Sequence, residues 1–519
     1  MRRSSGASRI PGVLDSSGFN LIKIVRPLIA GAGIVLTQGV EAGGFFLPAD
    51  DSRLRDDISL LVDERVIHLP ITDWPMVRET VAEAVARVDS TSLRDAGLLS
   101  VLARVKVATH TDDDAKQWRL RELSVIAGQP GLLRDDATVG RENLELQSIG
   151  GASTDRYNVR LSVTGVVDPA DGQPFRLDGS DISMRRGNWL LSANQMGRWW
   201  GPGRDGSLIL STNARPMPGL SLHRVYSKPA DLPLLRWLGP WRFTGFVGLM
   251  ENERPDVDRP LFMGMRVSFK PSPLLELGLS RSAQFCGKHR PCDLKTFGRV
   301  LIGQDNAGRR GLDDPALEPG NQMAGFDARL TSPFRALPLV LHAQMIGEDN
   351  SDTGIPLRYL GQFGAESWAV LKSGSVLRAR LEFAETSVRW YTLFNPKLQP
   401  DVSYRQTIFF AGYRYRGRNI GHATDADSLS GSLLLSLTNA QAQVWAVRLR
   451  HARLDWYGDQ DPYNTVTLGR NRYNSIQLSW DGTIRQQGWG AHLGHESQAR
   501  EAAGKGRGWF GFVQWRKAL

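Results

Sequence analysis

The chain has 519 residues, 41% of them hydrophobic, with a mean hydropathy of −0.29, and no apolar run approaches the roughly 18 residues that a membrane-crossing helix needs. A helical membrane protein is therefore excluded, but a membrane β-barrel is not, because its strands bury only alternate residues. Lys and Arg outnumber Asp and Glu by 64 to 54, a basic balance that favours anionic partners.

The N-terminus reads as an export signal. Arg2, Arg3, Arg9, Lys23 and Arg26 supply charge around and before the apolar stretch PLIAGAGIVLT (27–37), and Val40-Glu41-Ala42 offers small residues for a cleavage site. Residues 1–42 are predicted to be a signal peptide; a cytosolic protein with a disordered basic tail is the competing reading. Residues 43–135 are predicted to form a periplasmic helical bundle. Leu54, Ile58, Leu61 and Val62 form one apolar stripe. In TDWPMVRETVAEAVARVDS, Thr72 is the expected N-cap, Pro75 falls in the first turn, and Val77, Val81, Val85 and Val88 recur at helical spacing. Leu98, Leu99, Leu102 and Val105 make a third stripe. All three suit a packed core.

Over 136–519 the period changes to two. Tyr157, Val159, Leu161 and Val163 alternate with Asn158, Arg160, Ser162 and Thr164; Leu377, Ala379, Leu381 and Phe383 alternate with Arg378, Arg380 and Glu382. Some 16 to 20 segments of about 10 residues follow this rule, a length that suits tilted membrane strands. A soluble sandwich or propeller also alternates. The closed antiparallel membrane barrel is preferred for three reasons: the export signal, tryptophans near strand ends (Trp189, Trp237, Trp241, Trp390, Trp456, Trp489, Trp515), and arginines recurring on single faces (Arg378 and Arg380, Arg414 and Arg416, Arg448 and Arg450). On a lipid face each arginine would cost about 2–4 kcal/mol, so these pairs are expected in the lumen, matched by carboxylates. The final strand runs WFGFVQWRKAL, with four residues after its last aromatic, which departs from the aromatic terminus of many such barrels.

Within this region RWWGPGRDGSLILSTNARP (198–216) contains G-x-G-x-x-G at Gly201, Gly203 and Gly206. A phosphate-binding turn must open a helix. Here Pro202 interrupts the turn and SLILS reads as a short strand, so a tight turn between strands is expected. Cys286 and Cys292 in CGKHRPC are a closely spaced pair in an exported chain, which predicts a disulfide. Zinc, even with His289, has too few ligands.

Six blocks in one order resemble the outer-membrane capsule assembly proteins of the Wzi type. They are RWWGPGRDGSLILSTNARP, GPWRFTGFVGLMENERP (239–255), GLSRSAQFCGKHRPCDLKTF (278–297), LIGQDN (301–306), EPGNQMAGFDARL (318–330) and QMIGEDN (344–350). The resemblance implies an 18-stranded outer-membrane barrel with a periplasmic helical bundle and a lumen filled by charged side chains and loops. It also implies a lectin-like, non-enzymatic activity, the retention of capsular polysaccharide or a related exopolysaccharide at the cell surface.

Candidate ligand residues follow the same blocks. Trp199 and Trp200 suit either an interfacial aromatic belt or stacking on sugar rings, with Arg204 beside them. Glu251, Asn252 and Arg254 sit at one strand end, Glu348 and Asp349 at another. Their carboxylates serve either ion pairs or, less simply, the acid and base of a glycan hydrolase. Lys288, Arg290 and Asp293 surround the disulfide loop and suit an anionic glycan; Asn321 and Gln322 suit sugar hydroxyls or a buried loop. Calcium at Asp305, Asn306 and Asp349 has suitable oxygens but no recognised spacing, so no metal or cofactor is expected. The expected partners are an acidic polysaccharide, outer-membrane lipid and periplasmic export machinery, with no nucleic acid and a monomeric state. The alternative function is an anion-preferring diffusion porin.

Overall fold

Period-two alternation organises the computed structural model, which describes residues 44–519 apart from 94, 111–115, 138–139, 303–319, 351–355, 393–394, 458–460 and 501–503. Eighteen spanning strands, from Arg119–Gln129 to Gly504–Ala518, run antiparallel and close on themselves, with Val513 opposite Ala127 at the seam. The short strands Phe175–Arg176 and Asn395–Gln399 extend the rim. Closure pairs every edge, which hydrocarbon requires because it cannot hydrate a free peptide group.

The two faces of the wall differ as the alternation predicts. In the strand Val444–Leu454, Trp445, Val447 and Leu449 are exposed on the outside, whereas Arg448 and Arg450 are buried inside. Leu377, Leu381 and Phe383 likewise face out, and Arg378, Arg380 and Glu382 face in. A continuous outer belt of leucines far exceeds the apolar patch that a water-soluble monomer tolerates, so lipid covers it.

One end of the barrel has tight connections, such as 154–156, 187–188 and 485–486, and the final strand finishes there. The other end carries long segments, such as 195–218, 250–260 and 400–428. In outer-membrane barrels the tight turns are periplasmic. Trp445 opposite Trp480, and Trp489 opposite Trp515, form an aromatic girdle on the outer face near the tight end.

Three helices cap that end: α1 (Ser52–Asp63), α2 (Arg78–Ala86) and α3 (Ala96–Thr109). Asp51 caps α1 by accepting from the Leu54 N–H at 2.9 Å, and Leu54, Ile58, Leu61 and Val62 bury the expected stripe. Their core continues into the barrel through Trp199, Val340, Trp368 and Val376. Polar contacts fix the same docking. Arg329 on the wall pairs with Asp63 at 2.6 and 2.7 Å, and Arg65 donates to the carbonyls of Ser332 and Pro333, both at 2.9 Å.

Three sequence expectations are corrected. The barrel begins at Arg119, not at 136, because the polar start of that strand (RLREL) hides its alternation. Thr72 caps no helix: α2 starts at Arg78 with Val77 as its cap. The Glu276 carboxylate instead takes the Ile71 and Thr72 N–H groups and the Thr72 hydroxyl at 2.7–2.9 Å, so a tertiary contact overrides the local capping preference. SLILS is not a strand; Leu208, Ile209 and Leu210 are buried in the barrel interior, with one bridge from Leu210 to Trp200.

Asp63→Ala leaves the Arg329 guanidinium buried without its charge partner. The expected loss is about 3–5 kcal/mol, read as a lowered urea midpoint for the protein folded in lipid vesicles. Arg87→Ala removes an exposed pair with Glu83 and should leave the midpoint unchanged.

Candidate functional site

Chain from the long-loop end turns inward and closes the lumen. Trp199–Trp200 form a two-residue strand against Asp73–Trp74 of the helical region, with Trp199 opposite Trp74. The Trp199 indole N–H donates to the Gly203 carbonyl at 2.8 Å, and the Arg55 guanidinium lies over the rings of Trp74 and Trp199. The glycines of the turn serve close approach rather than phosphate. A Cβ on Gly203 would strike Gln362, and one on Gly206 would strike His422.

Charge fills the remaining space. The Asp205 carboxylate meets Arg448 at 2.6 Å and Arg450 at 2.7 Å, and Asp135 meets the same arginines at 3.0 and 2.5 Å. Glu382 accepts the backbone N–H groups of Arg204 and Asp205 at 2.7 and 3.0 Å. Arg378 and Arg380 share Glu366 and Asp56, which carries α1 into the network. Burial opposes ionisation of Asp205, but Arg450 and Arg448 prevail and hold its carboxyl well below the usual range. A polar cavity of about 190 Å³ persists beside the plug, lined by Glu122, Arg141, Glu145, Arg176 and Gln514 among others.

Above the plug, the segments 400–428 and 455–470 fold together. Arg414 bridges them by donating to Asp425 at 2.8 Å and Asp461 at 2.7 Å. Arg405 pairs with Asp401 at 2.7 Å and lies 3.5 Å from Asp461. The Tyr404 and Tyr413 hydroxyls donate to the carbonyls of Leu208 and Ile209 at 2.7 and 2.8 Å, tying the assembly to the plug. Asp401, Tyr404, Asp425, Asp427 and Asp455 all have φ between 48° and 62°. Left-handed backbone at non-glycine residues costs on the order of 1 kcal/mol or more each and persists only where surrounding contacts fix it.

This scaffold presents an aromatic pair on the loop face. The Phe410 ring, 42% exposed, lies 5.6 Å from the ring of Tyr463. Tyr463 is set by its own N–H, which donates to Asp461 at 2.9 Å. Gln406 uses its side-chain carbonyl to accept from the Ile408 and Phe409 N–H groups, both at 2.6 Å, which fixes the turn that carries Phe410. An exposed ring beside a half-buried tyrosine suits the face of a sugar ring and its hydroxyls.

The residues singled out from sequence distribute differently. Trp199 and Trp200 are 1% and 0% exposed, which removes them from both the lipid interface and contact with a polymer. Arg204 is buried against Asp56 at 2.7 Å. Arg254 clamps Asp256 at 2.9 Å and donates to the Gly412 and Arg414 carbonyls, while Glu251 takes Arg254 at 3.1 Å. Glu348 accepts the Tyr404 N–H. Asn321 faces the lumen and donates to Gln284, whereas Gln322 faces outward and accepts from Arg281. Among the described candidates Asn252, Lys288 and Asp293 are exposed, and Glu251, Arg290 and Gln322 are partly so; Asp293 also accepts the Thr296 N–H at the start of α4 (Leu294–Ile302). The disulfide Cys286–Cys292 is formed, with Cα atoms 4.7 Å apart. Arg414 and Arg416 belong to the inward loop rather than to a wall strand, because their segment pairs only with Arg418–Asn419. Asp305 and Asn306 and the Asp349 side chain fall outside what is described.

Phe410, Tyr463, Arg405 and Gln406 were not anticipated. Phe410 alone carries a sequence signal, as part of IFFAGYRYRG (408–417), an aromatic run in a stretch of connection length without alternation; Arg405, Gln406 and Tyr463 lie outside it.

Residues 126–503 match the family described as capsule assembly protein Wzi. An uncharacterized 55.8 kDa protein in the cps region of Klebsiella pneumoniae is 26% identical over 498 residues, covering 94% of this chain and 91% of that protein. Among solved structures, Wzi of Escherichia coli, described as an outer-membrane, carbohydrate-binding β-barrel involved in group 1 capsule assembly, superposes with a TM-score of 0.78 and 25% identity, over 92% of this chain and 100% of that one. The outer-membrane protein OprD of Pseudomonas aeruginosa superposes with a TM-score of 0.42 and 10% identity, over 77% of this chain and 93% of that one.

Two predictions follow from the plug and its cover. In planar bilayers the purified protein shows no stepwise conductance, and excision of residues 198–211 opens one; steady conductance by the intact chain would mean that the lumen is not sealed. The second concerns Asp455, 1% exposed, whose carboxylate oxygens accept no hydrogen bond among the described residues. Burial, with help from Asp461 and Asp425 and against Arg405, raises its pKa from 3.8 to about 6. The folded state therefore holds the proton more tightly than the unfolded chain. That contribution to stability is complete below about pH 4 and lost as pH rises through about 6. Asp455→Asn should flatten the fall of the melting temperature between pH 5 and 7.5; parallel profiles for the two proteins would refute this.

Proposed function

The chain belongs to the capsule assembly protein Wzi family, and from that premise we propose that it is a surface lectin, holding capsular or related exopolysaccharide on its loop face. It is an outer-membrane β-barrel. The observation that carries the binding reading is the pair formed by exposed Phe410 and half-buried Tyr463, seated on strained backbone that buried ion pairs hold in place. Elaborate support for one exposed ring and its half-buried partner suits a task at the surface. The lumen, packed with paired charge, has no comparable use.

The glycan is acidic in this reading. A basic chain with Lys288, Arg405 and Arg416 on or near the loop face raises both encounter rate and retention of an anionic polymer. The activity is binding without chemistry. Hydrolysis needs two carboxylates free to approach one glycosidic bond, whereas Glu251 is committed to Arg254 and Glu348 to the Tyr404 N–H. The protein acts as a monomer, because one plugged barrel contains the whole site, and its capping helices are available to export machinery in the periplasm.

Phe410→Ala with Tyr463→Ala removes the stacking surface without touching the ion pairs beneath. Each ring contributes roughly 0.5–1.5 kcal/mol beyond its area, so affinity for purified capsule should fall about five- to a hundredfold. In cells, polysaccharide should move from the cell-bound to the released fraction while total synthesis holds. Retention at the intact level in a strain lacking the whole protein would sink the lectin reading; retention lost in that strain but kept by the double variant would relocate the site to another loop.

A further inference from the structure

The outer face of the barrel carries a cationic cluster at one level of one sector. On the strands Val444–Leu454 and Asn471–Ile484, Arg453 stands directly opposite Arg472 in the ladder. Both side chains are exposed on the lipid side, and both guanidinium groups lie over the Trp456 ring, at 5.5 and 5.2 Å from its centroid. Neither meets a carboxylate among the described residues. Like charges directly opposed across a ladder are destabilising. This pair is nonetheless held side by side on one aromatic surface. Arg507, also exposed, faces the same way, as does the His451–Asn474 pair one row below. An outward carboxylate at this level, Glu385, lies two strands away, across Leu429.

Height decides what the cluster meets. Down the same outer column come Leu449, Val447 and then Trp445 of the tight-turn girdle. Eight residues separate Arg453 from Trp445, which at about 3.3 Å per residue and a tilt near 40° is about 20 Å along the membrane normal. The hydrocarbon band is about 25 Å tall, so the arginine backbones lie about 5 Å below the outer-leaflet headgroups, a distance that their long side chains span by snorkelling. Outward positions at other points of the rim, such as Val167 and Leu249, are apolar.

We infer that Arg453 and Arg472, seated on Trp456, form a binding site for the phosphate groups of an outer-leaflet glycolipid. A phosphate placed between two guanidinium forks takes bidentate hydrogen bonds from each and removes their mutual repulsion. The indole fixes both planes beforehand, which lowers the ordering cost of binding. Lipid held there would fix the barrel beside the very surface on which its loops work.

The full-length protein in mixed micelles tests this. Bis-phosphorylated lipid A should raise its melting temperature, and fully dephosphorylated lipid A should not. Arg453→Gln with Arg472→Gln should weaken lipid A binding at least tenfold, while the variant still folds, as its heat-modifiable gel mobility reports. Arg485→Gln, at a tight turn on the opposite end, should bind as the parent does. Equal binding of dephosphorylated lipid, or full binding by the double variant, would overturn the inference. So would displacement of lipid A by soluble acidic polysaccharide at equal charge, which would assign the arginines to the glycan instead. Loss of lipid A binding with polysaccharide retention unaltered in cells would leave the lectin reading standing, so the two proposals fail separately.

Discussion

Hydrocarbon neither hydrogen-bonds a peptide group nor solvates a charge, and this chain is arranged around that constraint. Closure of the sheet answers the first part. The second sends the arginines of the wall inward, where Arg378, Arg380, Arg448 and Arg450 are buried. A lumen lined with unmatched guanidinium groups would be as unfavourable as a charged outer wall, so carboxylates must enter it. Some stand on the wall itself, as Glu366 does beside Arg378 and Arg380, and others arrive on segments outside it: Asp56 and Asp63 on α1, Asp135 from one loop and Asp205 from another. Occlusion of the barrel and docking of its helices are thus two results of the same neutralisation.

The interior networks also support the loop face. Arg414 unites two loops through Asp425 and Asp461, and the two tyrosine hydroxyls fasten them to the plug. Several aspartates are held in left-handed backbone as a result. Buried ion pairs are weak evidence for stability, since desolvation offsets much of their attraction. Their value here is geometric: they define one arrangement of otherwise irregular chain, and that arrangement sets Phe410 against Tyr463. Around the outside, the same alternation that hides charge also exhibits it, as at Arg453 and Arg472 near the long-loop rim.

Outward charge occurs in a second form at Arg281, which faces the lipid side yet donates to the carbonyls of Val300 and Leu301 at the end of α4. That helix lies on the outer wall, against Met263, Ala283 and Phe285. Lipid-side arginine is therefore tolerated where chain folds back to satisfy it, or where the headgroup layer begins.

The sequence by itself determined the architecture. Strict alternation at Leu377–Phe383 and Val444–Leu454 separates lipid from lumen residue by residue, and the stripe Leu54, Ile58, Leu61, Val62 is sufficient for a helix. The Cys286–Cys292 pairing was legible because the two are close in the chain. Tertiary structure decided what the irregular segments do. SLILS and the two tryptophans have the composition of a strand and of a binding surface, yet they become the plug's core, because their burial depends on Tyr404, Gln344 and Trp74, each remote in sequence. Thr72 lost its capping role to Glu276, some 200 residues away. The loop-face rings escaped notice for the same reason. Period and spacing report contacts between neighbours along the chain, whereas the site is made by contacts between loops that only barrel closure brings together.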